Sequence, residues 1–412
     1  MINEKSRTIP VSFHSMHRTA LASVRFGGEM LAHESSVYSH ELARFCSQMT
    51  MIGYDRYAPV GETDVKKSGI YSTLTELGFD TIEINSSTDI NEEDCVFAKA
   101  KAQIGGAEHS VVIALFLGTY MKQWYTNFDS GKGETHKSFT LATDYSFGKL
   151  SSYLERNKIG KKNLKLIVSG HSRGGAVANL LGAKIAREGC LAYKKNVYTY
   201  TFAAPSPTCD PERTDKKYSA IFNFINDEDF VIKCMPREWG YGRYGVTFSL
   251  PSKNSARKYG EILPDMLLFH KSYSPTLEYH PFPQGDKTVN RLFDMLVACV
   301  PSIGDFYDKR FECMGEKLSV YEYFTRSLCA ITGEAAGSQE NKDGTMYLMM
   351  TSVRRAECHV VFRAISDFFV LYEGLAGATK GKISKQYFSA AHDIAAYSAY
   401  IMACEEKNLI RR

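Results

Sequence analysis

The sequence predicts an α/β fold: a mostly parallel sheet with helices on both faces, followed by a C-terminal helical segment. Three observations carry this expectation. Between about residues 109 and 250, short β-branched runs alternate with stretches of helical periodicity. Those runs are apolar throughout instead of alternating with polar residues, which marks strands covered on both faces. After about residue 285 the strand pattern stops and helical spacing takes over.

The elements follow in order. Residues 1 to about 108 read as mixed, with a helix over Glu41–Met51 and irregular structure elsewhere. Strands are expected at Ser110–Leu117, Leu164–Ser169, Val197–Ala203, Tyr218–Ile225 and Val246–Leu250, with helices at Leu141–Asn157 and Gly174–Glu188 between them. Val289, Leu292, Phe293, Leu296, Val297 and Val300 share one helical face before Pro301. Further helices are expected over Leu318–Ile331, Met346–Leu371 and Gln386–Glu405, with a polar loop at Gly333–Thr345.

Composition narrows the class. The chain has 412 residues, 44% hydrophobic and 23% charged, which excludes wholesale disorder and collagen-like repeats. A net charge of +4, spread evenly, argues against a nucleic-acid partner. No run approaches the ~18 apolar residues of a spanning helix. The first twenty residues contain no apolar core of a signal peptide, so a cytoplasmic protein is expected, with secretion left open for a chain whose leader has been removed. The ten cysteines form no CxxC pair and lie mostly in apolar stretches, as reduced core residues do. HExxH and zinc-ligand spacings are absent, so neither metal nor cofactor is expected.

Leu164–Ala176 reads LKLIVSGHSRGGA, a strand, then Gly170-His171-Ser172-Arg173-Gly174, then an amphipathic helix. This is G-x-S-x-G in the strand–turn–helix setting that lifts a serine hydroxyl above a sheet edge. The turn is too tight for side chains on either side, and Gly170 and Gly174 supply the room. It also sets Ser172 at a helix N-terminus, where developing negative charge is favoured.

Several blocks, in order, resemble the class 3 (fungal-type) lipases of the α/β-hydrolase superfamily. They are SVVIALFLGTYMKQWYTNFD, His136-Lys137-Ser138-Phe139, LIVSGHSRGGAVANLLG, YTYTFAAPSPT and FNFINDEDFVIKCMP, covering about residues 100 to 250. Two departures stand out: Leu117 where the family commonly has arginine, and Ala203 where it usually has glycine. The resemblance implies an α/β-hydrolase-like fold and a Ser-Asp-His triad in that chain order. Asp229, two residues before Val231, matches the family's D-x-V pattern, with Asp227 the alternative acid. Two histidines compete as base. His280 has the shorter spacing from Asp229. His392 precedes a helix carrying Tyr397, as the family's histidine commonly does, with Ser389 placed to cap its first turn. His392 is preferred; His270 and His359 are minor candidates, and His171 flanks the nucleophile without being the base. The oxyanion hole is expected from the backbone N–H of Arg173 and, by resemblance, from Thr119 after Gly118.

Choosing His392 makes residues 256–385 a helical insertion, a possible lid or acyl pocket rich in Phe, Tyr and Met. Residues 1–255 then form the core, with the N-terminal region 1–108 packed on it, and residues 386–412 its final helix. The expected function is hydrolysis of acyl esters, lipids among them, through an acyl-enzyme. The alternative is a catalytically inactive lipid-binding or scaffold protein on the same fold; peptidase or acyltransferase chemistry on the same triad is a third option. Oligomeric state is left open.

Overall fold

The computed structural model describes residues 1–15, 18–56, 64–118, 123, 126–252, 256–275, 279, 285–332, 358–373 and 391–412. The chain opens with β1 (Arg7–Ser15) and β2 (Arg18–Phe26), an antiparallel pair, then α1 (His40–Ile52) and α2 (Gly69–Leu77). Two antiparallel strands, β3 (Asp80–Asn85) and β4 (Cys95–Ile104), lead into β5 (Ala107–Phe116). From β5 the crossovers begin: α3 (Lys137–Arg156), β6 (Leu164–His171), α4 (Arg173–Glu188), β7 (Val197–Phe202), β8 (Ile221–Ile225) and β9 (Val246–Ser249). β5 to β9 pair in parallel, and the two-residue β12 (Ile410–Arg411) closes the far edge antiparallel to β9. The eight-stranded sheet has the order β12-β9-β8-β7-β6-β5-β4-β3.

The sheet is buried on both faces, and β5 shows how. Val111, Ile113 and Leu115 join one apolar cluster, while Val112, Ala114 and Phe116 join another on the opposite face. α1 and the C-terminal α10 (Ile394–Ala403) cover the first face; α3 and α4 cover the second. This is an α/β-hydrolase-like arrangement. All eight residues of β6 are buried, which is why its sequence shows no alternation.

The N-terminal region is more regular than its sequence suggested. β1 buries Ile9, Val11 and Phe13 and exposes the residues between, and β2 does the same with Ala22, Val24 and Phe26. β4 was also missed, because Lys99 and Lys101 interrupt its small buried alanines.

Strands also reappear after residue 285. Beyond α5 (Ala256–Tyr273), α6 (Gly285–Cys299) and α7 (Ile303–Asp308) comes a short hairpin, β10 (Arg310–Cys313) and β11 (Glu316–Ser319). α8 (Val320–Thr332) therefore starts after Leu318, and α9 (Val360–Glu373) occupies the second half of the expected 346–371 helix. The expected polar loop 333–345 lies outside the described residues.

The boundary expected at residue 256 is displaced. Tyr259, Ile262 and Met266 of α5 belong to the same core cluster as α1 and α10, so α5 is part of the main body. The separate helical unit is built from α6 to α9: Leu296, Phe306, Tyr323 and Phe362 pack together and onto Met235 and Trp239 of the core. Every cysteine whose side chain is described is a free thiol, Cys313 and Cys358 lying 3.5 Å apart across an antiparallel bridge. Among the described residues no helix is long and apolar enough to cross a membrane.

Among the described residues three imidazoles are buried in this body. Burial pushes His136 down to about 3, His270 down to about 4 and His171 well below the usual histidine range. Below pH 6.5 the unfolded chain takes up protons that the native state refuses, so stability falls with pH from about 6.5 toward 4. Each should remove about 2 kcal/mol by pH 5. Urea melts at pH 7 and pH 5 should therefore differ by several kcal/mol; equal midpoints would mean that these rings protonate without unfolding.

Candidate active site

The elbow is built as its glycines require. Ser172 holds φ 57° and ψ −127°, a left-handed setting that costs a non-glycine residue roughly 1–3 kcal/mol. It is fixed from both sides: its N–H donates to Phe202 O at 3.0 Å and its carbonyl receives the Ala176 N–H at 3.1 Å. A Cβ on Gly170 would come within 2.2 Å of Gly174 O, and one on Gly174 within 2.4 Å of the Phe116 backbone. Both positions are closed to any side chain. The Arg173 N–H begins α4 and has no carbonyl a turn earlier to bond, so it is free to serve a ligand.

His392 meets this serine from 220 residues away. Its Nε2 lies 2.9 Å from Ser172 Oγ, and its Nδ1 lies 2.8 Å from Asp229 Oδ2. Asp229 is fully buried on the loop after β8, where it is held three ways. Tyr397 OH donates to Oδ2 at 2.9 Å, the Val231 N–H donates to Oδ1 at 2.9 Å, and His392 takes the remaining direction. Tyr397 OH in turn accepts the Asn226 N–H at 2.9 Å, which ties α10 to the acid loop. Asp393 caps α10, accepting the Ala395 N–H at 2.9 Å. Ser389 lies outside the described residues.

A second line of hydrogen bonds runs under the serine. The Gly118 N–H donates to Tyr54 OH at 2.6 Å; Tyr54 OH lies 2.7 Å from His171 Nδ1; and His171 Nε2 lies 2.8 Å from the His392 carbonyl. Only one proton arrangement satisfies all three. The phenol donates to Nδ1, and the neutral imidazole donates from Nε2. Burial holds His171 neutral. The end of β5, the residue before the serine and the backbone of His392 are thus linked. Tyr54→Phe should lower kcat for a small ester about tenfold with little change in KM, the loss expected from two buried hydrogen bonds; an unchanged kcat would show that the link is idle.

Sequence reasoning missed the role of the Arg173 side chain. It is 1% exposed and reaches Glu93 Oε2 at 2.9 Å, Thr126 Oγ1 at 2.9 Å, Asn127 Oδ1 at 3.2 Å and Ile90 O at 3.1 Å. Beside it Arg56 pairs with Asp94, both buried. Burial pushes Glu93 up to about 8 in spite of Arg173. Nothing in the pattern GHSRGG marks an arginine turned inward.

The remaining candidates fall elsewhere. Asp227, the alternative acid, is bound by Arg412 at 2.6 Å to each carboxylate oxygen, whereas the carboxylate beside the imidazole is that of Asp229. Thr119 and His280 lie outside the described residues. His270 is buried on α5 against Tyr279, and His359 packs on Phe311 in the helical unit. Leu117, one of the two departures from the family's pattern, is fully buried.

Ser172 opens into an apolar pocket bounded by Phe128, Phe139, Phe230, Val231, Cys234 and Met235. Its free space is about 30 Å³, room for a water molecule or two. The helical unit presses on its wall: Phe128 stacks on Phe324 of α8 at 5.0 Å, and Tyr307 OH accepts the Gly131 N–H at 2.9 Å.

A family model for lipase (class 3) aligns with the stretch from β5 through Trp239. Residues 107–239 match the class 3 lipases. The matched segment holds Ser172 and Asp229, while His392 lies beyond it. The match supports lipase-type ester hydrolysis by a carboxylic ester hydrolase. Solved lipase structures are similar to the chain over about half its length. A triacylglycerol lipase described as having a serine-protease triad is 20% identical, with 53% of this chain and 83% of that one covered and a TM-score of 0.40. The Rhizomucor miehei lipase–propeptide complex is 19% identical, with 53% and 71% covered and a TM-score of 0.38. The Lip2 lipase of Yarrowia lipolytica is 16% identical, with 54% and 81% covered and a TM-score of 0.38. No curated protein matches the chain.

Proposed function

We propose that this protein is a serine ester hydrolase that cleaves acyl esters, lipids among them, through a covalent acyl-serine. The observation that carries the reading is one imidazole within hydrogen-bond reach of both a strained serine and a buried carboxylate. A serine hydroxyl is a weak nucleophile at neutral pH, so His392 Nε2 takes its proton as Oγ attacks the ester carbonyl. Asp229 keeps the Nδ1 proton in place and stabilises the imidazolium that forms. The oxyanion is received by the Arg173 N–H and, on the resemblance, by Thr119. His392 then protonates the leaving alcohol, and in the second half it activates the water that frees the acid.

A fluorophosphonate probe tests this. Wild-type protein should be labelled at Ser172, and Ser172→Ala should not. Intact wild-type protein left unlabelled would favour a binding protein on this fold. Turnover of p-nitrophenyl esters of several chain lengths beside a matching anilide separates an esterase from a peptidase.

A further inference from the structure

A second cleft lies across the Val231–Lys233 turn from the serine. Val231 and Cys234 border the Ser172 pocket, Ile232 and Lys233 line the cleft, and Met235 borders both. The cleft holds about 690 Å³ of open space, far more than the pocket beside it. Four arginines and one lysine line it, against the three carboxylates of Asp227, Glu238 and Asp294. Asp227 is already neutralised by Arg412. Lys233 Nζ donates to Asn290 Oδ1 at 2.7 Å.

That leaves Arg213, Arg237 and Arg243, and among the described residues none of them has an ion-pair partner. Arg213 donates to its own loop, Nη1 to Asp210 O at 2.9 Å. Arg243 is the most enclosed. Its Nε donates to Ala204 O at 2.7 Å and its Nη2 to Ile232 O at 2.9 Å, while Nη1 makes no hydrogen bond among the described residues. Two carbonyls fix the guanidinium plane, and the carboxylate that acts on its charge, Asp229, is itself shared with His392 and Tyr397. Burial still pulls Arg243 down to about 10. An enclosed cation with a free donor at a roomy cleft gains most from an anion.

We propose that this cleft binds the phosphate of an acyl-ester substrate, held by Arg213, Arg237 and Arg243, while the ester carbonyl is presented to Ser172. The inference rests on the hydrolase reading above and names its substrate class. Phosphate is favoured over carboxylate because three separate guanidinium groups suit several peripheral oxygens, whereas a carboxylate is satisfied by one arginine fork. Glu238 and Asp294 set the opposing charge, so the preference should weaken as salt screens both signs.

The test uses 1-hexanoylglycerol and 1-hexanoylglycerol 3-phosphate, which differ only in the phosphate. Wild-type kcat/KM should favour the phosphate ester by about tenfold or more at low salt, the scale of one or two charged hydrogen bonds. In Arg213→Gln the ratio should fall toward one, mainly through KM. Arg213 is the cleaner variant because Arg243 also ties Ala204 to Ile232. Equal kcat/KM for the two esters, or a preference that survives Arg213→Gln and Arg243→Gln, would overturn the proposal. Calorimetry on Ser172→Ala protein separates it from the chemistry. Phosphate-dependent binding lost in the Arg213→Gln background supports the cleft even if neither ester is hydrolysed, an outcome that would sink only the hydrolase reading. Hydrolysis of both esters without phosphate-dependent binding sinks only the cleft.

Discussion

Ester turnover should fall by about 10⁶-fold in Ser172→Ala, and His392→Ala should cost nearly as much. The double variant should be no worse than either single one, because a serine without its base and a base without its serine are equally idle. Asp229→Asn should cost about 10⁴-fold. The amide keeps the shape but favours the wrong imidazole tautomer, and it turns its NH2 group toward Tyr397 OH or the Val231 N–H, both of which now donate to the carboxylate. The measurement is kcat on a p-nitrophenyl ester, with circular dichroism to show that each variant is folded. Losses that add in the double variant would mean that Ser172 and His392 work independently, contrary to the 2.9 Å contact between them.

Arg173→Met should destabilise the fold by about 3–5 kcal/mol, the usual cost of stranding one member of a buried ion pair. Glu93 is fully buried, and losing the guanidinium removes the charge that opposes the upward push of burial on its carboxyl. Its other oxygen, Oε1, is already buried without a hydrogen bond. Adding Glu93→Leu should recover much of the loss, since paired apolar replacements are often neutral or better. Urea unfolding of the two single variants and the double variant gives the coupling directly. Loss of the ties to Thr126 and Asn127 should also release the segment beside the serine, so kcat should drop in the single variant while it remains folded. A wild-type melt for Arg173→Met would show that water replaces the guanidinium cheaply.

The sequence spoke most clearly where burial is two-sided. β5 to β9 announce themselves because each residue, whichever face it points to, meets apolar neighbours. β1 and β2 carried an equally good signal, the period-two spacing of Ile9, Val11 and Phe13, but one face of the hairpin is exposed and the mixed composition masked it. β4 gave little to read, since alanine and lysine are weak strand formers and its pairing with β5 decides its shape. At the site, the elbow was legible because its glycines answer to backbone collisions that nothing else avoids. His392 was legible through Tyr397, whose hydroxyl reaches the same carboxylate oxygen as the imidazole. The choice between Asp227 and Asp229 could not be read from spacing. It depends on Arg412, which reaches Asp227 from the sheet edge next to β12. Neither the Arg173–Glu93 pair nor the Tyr54–His171 link has a linear pattern, because each joins residues more than seventy positions apart.

Ala203 sits directly after β7 with φ 52°, a torsion that a methyl-bearing residue resists and glycine accepts freely. Its N–H is nonetheless committed to Phe224 O at 3.1 Å, so neighbouring strands hold the residue in that posture. The floor beneath the serine is therefore slightly sprung. Relaxing it with a single hydrogen atom in place of the methyl should harden the protein toward heat by about 1 kcal/mol while leaving every reacting group where it stands.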